Sequence, residues 1–221
     1  MMQISTAKKV SLQPELFGGF GYEERLCTVA ACRNYAGDFC EEATAVLTGG
    51  TRLQTDSRKD ICPDIQLAPN VFLESKSIGY TRAIIIYLCR LTKDLAFMEQ
   101  GNDLTYVLWH HKTRVFDDIR LGDLRDSMAS SLQSVTFVHL PTLAKHFETQ
   151  PVKMLNAKHK AKGYGAYGYN EGYNARLNHF ERLIPELPIK PTLEVYGRQV
   201  QVPIVRCMPE DVCKLGLCLT H

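Results

Sequence analysis

Residues 63–78 of the chain read PDIQLAPNVFLESKSI. Pro69-Asn70 signals a turn, because proline presets one turn dihedral and asparagine tolerates a left-handed backbone. Val71 to Ile78 follows as a short strand rich in apolar residues, and residues 52–65 precede the turn as its partner. The stretch therefore predicts a hairpin, which decides which of its side chains lie close together.

The second strand of this hairpin carries charge on one face. Side chains two apart in a strand point the same way, so Phe72, Glu74 and Lys76 share a side. A glutamate and a lysine are costly to half-bury unless each finds a partner or a metal. Asp64, on the preceding strand, is expected to be a neighbour of Glu74. The alternative is a turn aspartate and a surface Glu-x-Lys that protects an edge strand.

Hydrophobic spacing predicts further elements on both sides of the hairpin. They are helices in residues 23–32, 39–47 and 83–98 and a strand in residues 104–109. Asp38 is expected to begin the second of these helices and Gly49-Gly50 to end it. The order helix, hairpin, helix, strand indicates an α/β (α+β) fold with a central mixed β-sheet flanked by helices.

The rest of the chain is predicted as an elaboration of that core. The expected elements are a helix in residues 121–132, a strand in 135–140, a short helix in 143–147, and strands around a Gly197 turn in 192–205. We assign residues 1–150 to the core domain and residues 151–221 to a basic, tyrosine-rich extension packed on it. Residues 151–206 hold 9 Lys/Arg against 4 Asp/Glu, whereas residues 1–150 hold 16 against 18.

Bulk composition narrows the class of protein. The chain has 221 residues, of which 45% are hydrophobic and 23% charged, as in an ordinary globular protein. No apolar run approaches the roughly 18 residues needed to cross a bilayer, and residues 1–12 lack the apolar stretch of a secretory signal. The sequence therefore predicts a soluble, cytoplasmic protein with no membrane partner.

The chain contains eight cysteines. They form no tight CxxC pair and sit within apolar patterns, which favours reduced core residues over a disulfide framework. Cys207, Cys213, Cys218 and His221 form a possible terminal zinc set, but their spacing fits no familiar zinc finger, so packing is preferred. His110-His111 ends an apolar strand and is expected to be hydrogen-bonded there rather than to act in a site.

Asp64, Glu74 and Lys76 suit one kind of chemistry. Two converging carboxylates make a hard oxygen site that favours Mg²⁺, with Mn²⁺ possible, over metals that prefer thiolate or imidazole. Phosphodiester hydrolysis needs a Lewis acid, an activated water and a cation facing the developing negative charge. Asp64 and Glu74 would hold the metal, and Lys76 would position the water and stabilise the charge.

The same residues resemble the motif of the PD-(D/E)XK nuclease superfamily. Pro63-Asp64 is followed, after nine residues, by Glu74-Ser75-Lys76, and the chain holds no other Pro-Asp dipeptide or acidic-x-Lys triplet. The resemblance covers roughly residues 37–111. It implies a restriction-endonuclease-like core, a Mg²⁺-dependent deoxyribonuclease with DNA as its partner, and a possible homodimer that cuts both strands.

Many members of that superfamily take a further metal ligand from the helix before the hairpin. Asp38 to Glu42 resembles the start of that helix. On a helical wheel Glu42 flanks the apolar face and Glu41 points away, so Glu42 is the preferred ligand. The alternative for either residue is a solvated glutamate favoured by the helix dipole.

A basic, tyrosine-rich segment is the candidate nucleic-acid surface. Its predicted contacts are Lys158, Lys160, Lys162, Tyr164 and Tyr167. Lysines would bind the phosphate backbone and tyrosine rings would stack on bases or sugars. The alternative is a solvated loop. Two rival functions also remain: a nucleic-acid-binding protein without catalysis, and a small interaction protein whose acidic residues are incidental.

Overall fold

A computed structural model describes seven parts of the chain. They are residues 29–53, 63–78, 83–111, 127–155, 171–176, 192–202 and 205–207. The helices are α1 (Val29–Thr48), α2 (Leu88–Glu99) and α3 (Leu140–Glu148), and residues 127–131 are also helical. The strands are β1 (Thr51–Arg52), β2 (Ile65–Ala68), β3 (Val71–Ile78), β4 (Ala83–Tyr87), β5 (Asp103–His111), β6 (Leu132–His139), β7 (Lys153–Met154), β8 (Glu171–Arg176), β9 (Thr192–Val195), β10 (Arg198–Gln201) and β11 (Val205–Cys207).

A six-stranded mixed sheet forms the centre of the molecule, in the order β1-β2-β3-β5-β6-β11. The first three strands are antiparallel, β3 and β5 are parallel, β6 is antiparallel to β5, and β11 is parallel to β6. Parallel neighbours need a long crossover, and β4 with α2 supplies it between β3 and β5. The predicted mixed sheet flanked by helices is confirmed. The predicted hairpin is also confirmed, as strands β2 and β3 of that sheet.

The sheet separates two hydrophobic cores. On one face α1 covers a core that contains Phe39, Leu73 and Trp109. On the other face α2 and α3 pack with Tyr106 and Leu108 in a second core. Neighbouring residues of β5 therefore enter different cores, as the period-two rule for strands requires.

Helix α1 continues through Gly37-Asp38, so the prediction of two helices with a cap at Asp38 is wrong. The reason is burial: Tyr35 and Phe39, on either side of this glycine, are both fully buried against the sheet. That packing outweighs the roughly 1 kcal/mol by which glycine disfavours a helix interior. The predicted end is confirmed, because Gly49 has a left-handed φ of 68°.

The prediction of a helix over residues 83–98 is wrong for its first five residues, which form β4. Three consecutive isoleucines favour a strand, since β-branched side chains pack well on a pleated sheet. Strand β4 pairs with β8, which in turn pairs with β7. Gly172 of β8 allows this close approach, because a Cβ there would lie 2.2 Å from the carbonyl oxygen of Ile86.

The later predictions are confirmed where the structure describes them. Strand β6 and helix α3 occupy the expected positions, and residues 127–131 are the described end of the predicted 121–132 helix. Strands β9 and β10 form the expected hairpin through Tyr196 and Gly197, both with positive φ, as a two-residue type I′ turn requires. The hairpin packs on α1 through Val195. None of the described helices is both long enough and apolar enough to cross a membrane.

Candidate active site

Glu74 and Lys76 lie at the centre of the sheet. Strand β3 is bonded on one side to β2 and on the other to β5, so the alternative of an edge strand is wrong. Glu74 is only 3% exposed, whereas Lys76 is half-buried, and both face the α2 side of the sheet. A carboxylate this deeply buried needs partners, because an unpaired charge in the interior is costly.

Two basic side chains satisfy Glu74. Lys76 Nζ donates to one carboxylate oxygen, and Arg90 Nη2 donates to the other at 2.7 Å. Burial alone would lower the pKa of Lys76, but Glu74 and Asp64 outweigh that effect and raise it. Lys76 is therefore held in its protonated form. Its ammonium also lies 5.7 Å from the centre of the Tyr106 ring.

Arg90 extends the network into helix α2. Its Nε lies 2.9 Å from one oxygen of Asp94 and 3.1 Å from the other, at the i, i+4 spacing of a helix face. The Tyr106 hydroxyl from β5 donates to the same carboxylate. Burial raises the pKa of Asp94, while Arg90 and the Tyr106 hydrogen bond oppose that shift. The chain of contacts runs from Lys76 through Glu74 and Arg90 to Asp94.

Asp64 is attached to the backbone of β3. It directly precedes β2, and its Oδ2 accepts a 2.7 Å hydrogen bond from the backbone N–H of Ser75, next to Glu74. The pKa of the Asp64 carboxyl is raised well above its usual value of 3.8, first by burial, then by Glu74 and further by Glu41, against the opposing effect of Lys76. Asp64, Glu74 and Lys76 thus form one electrostatic group.

On helix α1, Glu41 rather than Glu42 acts on that group. Glu41 raises the pKa of Asp64, and burial, Asp38 and Glu74 raise the pKa of Glu41 itself, against Arg52. Glu42 instead contributes to raising the pKa of Tyr196 to about 12, an effect due mainly to burial of the phenol. The charge of Glu41 thus acts on Asp64, whereas that of Glu42 acts on Tyr196.

Glu41 is held in place by Arg52. The guanidinium Nε donates to Glu41 at 3.0 Å, Nη2 donates to Asp38, and Nη1 donates to the Tyr196 hydroxyl at 3.2 Å. The tip of the β9–β10 hairpin thereby touches the same arginine as α1. Arg52 of β1 thus joins α1 to the β9–β10 hairpin beside the site.

The described site contains more acid than base. Its carboxylates are Asp38, Glu41, Asp64, Glu74 and Asp94, and its cations are Arg52, Lys76 and Arg90. With all of them ionised the excess is two negative charges, which adds to the effect of burial in raising the pKa of Asp64. No three His, Cys, Asp or Glu side chains in the described ranges are already gathered closely enough to hold a metal ion. The oxygens of Glu74 and Glu41 point to basic partners instead.

The opposite face of the same strands carries a neutral network. The Thr44 hydroxyl donates to the Cys40 carbonyl at 2.7 Å, so it accepts from Trp109 Nε1 at 2.7 Å and from the Ser75 hydroxyl at 3.1 Å. His111 Nδ1 lies 3.0 Å from the Ser131 hydroxyl. These groups are buried and tie α1 to β3 and β5.

Burial also fixes the protonation of two groups on this face. It lowers the pKa of His111 to about 4, with help from His110, and raises the pKa of the Cys40 thiol. His111 Nε2 lies 3.9 Å from Cys40 Sγ, so a neutral imidazole meets a neutral thiol. Both are fully buried, which makes this pair structural rather than reactive.

Several predicted residues lie outside the described part of the chain. They are Lys158, Lys160, Lys162, Tyr164 and Tyr167, together with Cys27, Cys62, Cys213, Cys218 and His221. Cys40 and Cys89 are described, and neither is in a disulfide.

Sequence reasoning missed Arg90, Asp94 and Arg52. Arg90 and Asp94 carried a signal, because an arginine and an aspartate four apart in a predicted helix share one face. Arg52 carried none, since its partners are distant in sequence. The chain matches no family model, and it shows no significant similarity to any curated protein or solved structure compared with it.

Proposed function

We propose that this protein is a metal-dependent endonuclease that hydrolyses phosphodiester bonds in DNA. The observation that carries the proposal is the attachment of Asp64 to the β3 backbone beside Glu74 and Lys76. It brings two carboxylates and a protonated amine together, and these residues match the sequence motif. A helix before the hairpin and a helix and a strand after it also support the proposal, with strand β4 between the hairpin and α2.

The donor chemistry of the site suits a hard divalent cation. Asp64 and Glu74 would hold Mg²⁺ or Mn²⁺, and Glu41 takes the place of Glu42 as the proposed third ligand. Carboxylate oxygens are the preferred ligands of such ions, and a double positive charge would offset the acidic excess around Asp64. When bound, the ion would polarise the phosphoryl oxygen and make the attacking water more acidic.

Lys76 would act as a fixed cation rather than as a base. Its raised pKa keeps the ammonium protonated at neutral pH, so it can donate a hydrogen bond to a phosphate oxygen but cannot accept a proton. Electrostatic stabilisation of the developing negative charge is its proposed role. The Lys76 side chain is 32% exposed, which supports its accessibility to substrate.

Cleavage assays with plasmid, linear, branched and single-stranded DNA in Mg²⁺ test the proposal. Lys76→Ala is expected to lower the cleavage rate by about 10²–10³-fold, the usual cost of removing one donor to a transition-state oxyanion. Lys93→Ala is the matched control, because Lys93 is exposed on α2 outside the network. Equal activity of Lys76→Ala and wild type would refute the assigned role.

Metal binding has a readout that does not depend on cleavage. Mg²⁺ that binds only the folded protein stabilises it, by about 2.7 kcal/mol at a hundredfold excess over the dissociation constant. Thermal unfolding of wild type should therefore shift upward with Mg²⁺, and that of Asp64→Asn should not. A Mg²⁺-dependent shift of equal size in both proteins would exclude Asp64 as a ligand.

One observation favours a second candidate, a DNA-binding protein without catalysis. Both oxygens of Glu74 are paired with basic side chains, and Glu41 is paired with Arg52. This arrangement neutralises the ligands that a metal would need. Retention of DNA in a gel shift, with every substrate left intact in Mg²⁺ and in Mn²⁺, would select this candidate over the nuclease.

The DNA surface and the oligomeric state are part of the same proposal. Lys158, Lys160, Lys162, Tyr164 and Tyr167 are the proposed DNA contacts, and a homodimer would place two sites on the two strands. Replacing the three lysines by alanine should weaken DNA binding and make it less dependent on salt. Light scattering with and without DNA measures the mass. A monomer in both conditions would remove the dimer from the proposal.

A further inference from the structure

Arg90 is a charged residue that the proposed chemistry does not use. Its side chain is 30% exposed, while its guanidinium contacts the buried carboxylates of Glu74 and Asp94. It bridges Glu74, a proposed metal ligand, and Asp94, which belongs to α2. A residue that joins the metal site to a separate anchor can respond to occupation of that site.

Asp94 is the anchor of Arg90. Asp94 is 1% exposed, and it receives the Arg90 Nε from its own helix and the Tyr106 hydroxyl from β5. Both donate to the Oδ2 atom of this carboxylate, from two different elements. The Arg90 Nε therefore stays on Asp94 whether or not its Nη2 remains on Glu74.

The contact with Glu74 is the exchangeable one. Nη2 donates to a Glu74 oxygen at 2.7 Å, and a divalent cation bound to that carboxylate would compete for the same lone pairs. The guanidinium and the cation also repel each other. Asp94 still holds the Nε of Arg90. Displacement of Nη2 from Glu74 therefore turns one Nη edge of the guanidinium toward solvent without releasing the side chain.

We infer that Arg90 is a cation-gated phosphate site, resting on the proposed function in that Glu74 binds a divalent cation. When the cation occupies Glu74, the freed Nη edge of Arg90, tethered to Asp94, binds a phosphate oxygen of the substrate backbone next to the metal. The anion belongs to the phosphodiester class, because a guanidinium edge matches phosphate oxygens and carries a permanent charge.

This arrangement makes the two ligands mutually dependent. The cation releases Arg90 to the phosphate, and phosphate on Arg90 releases Glu74 to the cation. Linkage requires that each raises the affinity for the other by the same factor. A nuclease built in this way binds its substrate backbone firmly only when the metal is present.

Calorimetric titration of the full chain with Mg²⁺, with and without inorganic phosphate as the probe, tests this coupling. Phosphate is expected to lower the Mg²⁺ dissociation constant of wild type by at least about fivefold, within the usual range of coupling between sites. In Arg90→Gln the coupling should vanish. Mg²⁺ alone should bind more tightly, because the guanidinium that competes for Glu74 is gone. Lys93→Gln, an exposed neighbour on α2, should behave as wild type.

The outcomes separate the two proposals. Mg²⁺ binding that phosphate does not strengthen, or coupling that survives in Arg90→Gln, overturns the phosphate site and leaves the proposed nuclease intact. No Mg²⁺ binding to wild type removes both. Complexation of Mg²⁺ by phosphate in solution weakens apparent binding, so it cannot imitate the expected result. If Arg90→Gln does not fold, Arg90→Lys replaces it, and its single ammonium should lose at least half of the coupling on a logarithmic scale.

Discussion

The two faces of the same pair of strands differ in how they treat polar groups. Toward α1, β3 and β5 present Ser75, Trp109 and His111 in a neutral hydrogen-bonded network. Toward α2 they present Glu74 and Lys76 in a charged one. Adjacent residues of one strand thus enter different environments, one with a neutral network and one with a charged network.

This difference fits the proposal that the neutral face holds the fold and the charged face serves function. A neutral buried network that is fully hydrogen-bonded contributes favourably and fixes one packing arrangement. A buried ion-pair network rarely improves on an apolar core, since desolvation offsets most of the Coulomb attraction. Charge at the centre of a sheet is therefore better explained by what it binds than by what it stabilises.

The largest expected difference is between the stability losses caused by Trp109→Ala and by Lys76→Ala. Trp109 is fully buried, so its truncation should lower the free energy of unfolding by about 3–5 kcal/mol. Lys76 is partly exposed and its loss leaves Glu74 paired with Arg90, so its removal should cost less, about 1–3 kcal/mol. Urea unfolding at neutral pH measures both. Equal losses would mean that the charged face also holds the fold.

The next prediction concerns the pH dependence of the neutral face. The folded pKa of His111 is about 4, against 6.5 in an unfolded chain, so the unfolded state binds more protons in between. The contribution of His111 is complete above pH 6.5 and is lost as the pH falls toward 4. At pH 5 the loss is about 2 kcal/mol.

His111→Gln isolates this contribution, because other groups titrate in the same range. The difference in unfolding free energy between wild type and His111→Gln should shrink, or change sign in favour of the variant, as the pH falls from 7 to 5. Denaturant unfolding at several pH values gives that difference. A difference independent of pH would show that the imidazole is not neutral in the folded protein.

The smallest expected effect is on the charged face, where a substitution should raise the free energy of unfolding rather than lower it. The raised folded pKa of Asp64 contributes stability only at low pH, and that contribution is lost as the pH rises through the folded pKa. Asp64→Asn should therefore stabilise the metal-free protein at pH 7, by ~1 kcal/mol, as relief of charge repulsion commonly does. The gain should disappear near pH 3.

Melting curves without metal measure this effect, and Asp103→Asn serves as a control away from the network. Asp103 pairs with His139 at the other end of β5. Removal of that pair should not stabilise the protein. A loss of stability in Asp64→Asn at neutral pH would contradict the view that the charged face is kept at the expense of folding.

The local part of this site could be predicted from the sequence. Alternation in residues 71–78 correctly placed Glu74 and Lys76 together, because a strand leaves no other choice. The turn at Pro69-Asn70 placed Asp64 beside them, and Asn70 has the left-handed φ of 61° that such a turn favours. These inferences depended only on a few neighbouring residues.

The parts that failed depended on packing between distant elements. Whether α1 breaks at Gly37 is decided by the sheet beneath Phe39, and whether residues 83–87 form a strand is decided by β8. Glu41 is likewise held by Arg52, whose position no helical wheel can supply. Propensity and periodicity carry no information about such partners.

Gly172 shows how far the consequences of one such contact extend. Any side chain there would strike the carbonyl of Ile86 and push β8 away from β4, the strand that runs directly into α2 and hence to Arg90. In evolutionary terms, relatives that keep the arginine network should also keep this glycine. In engineering terms, libraries aimed at the site should hold position 172 constant, although it touches none of the residues being varied.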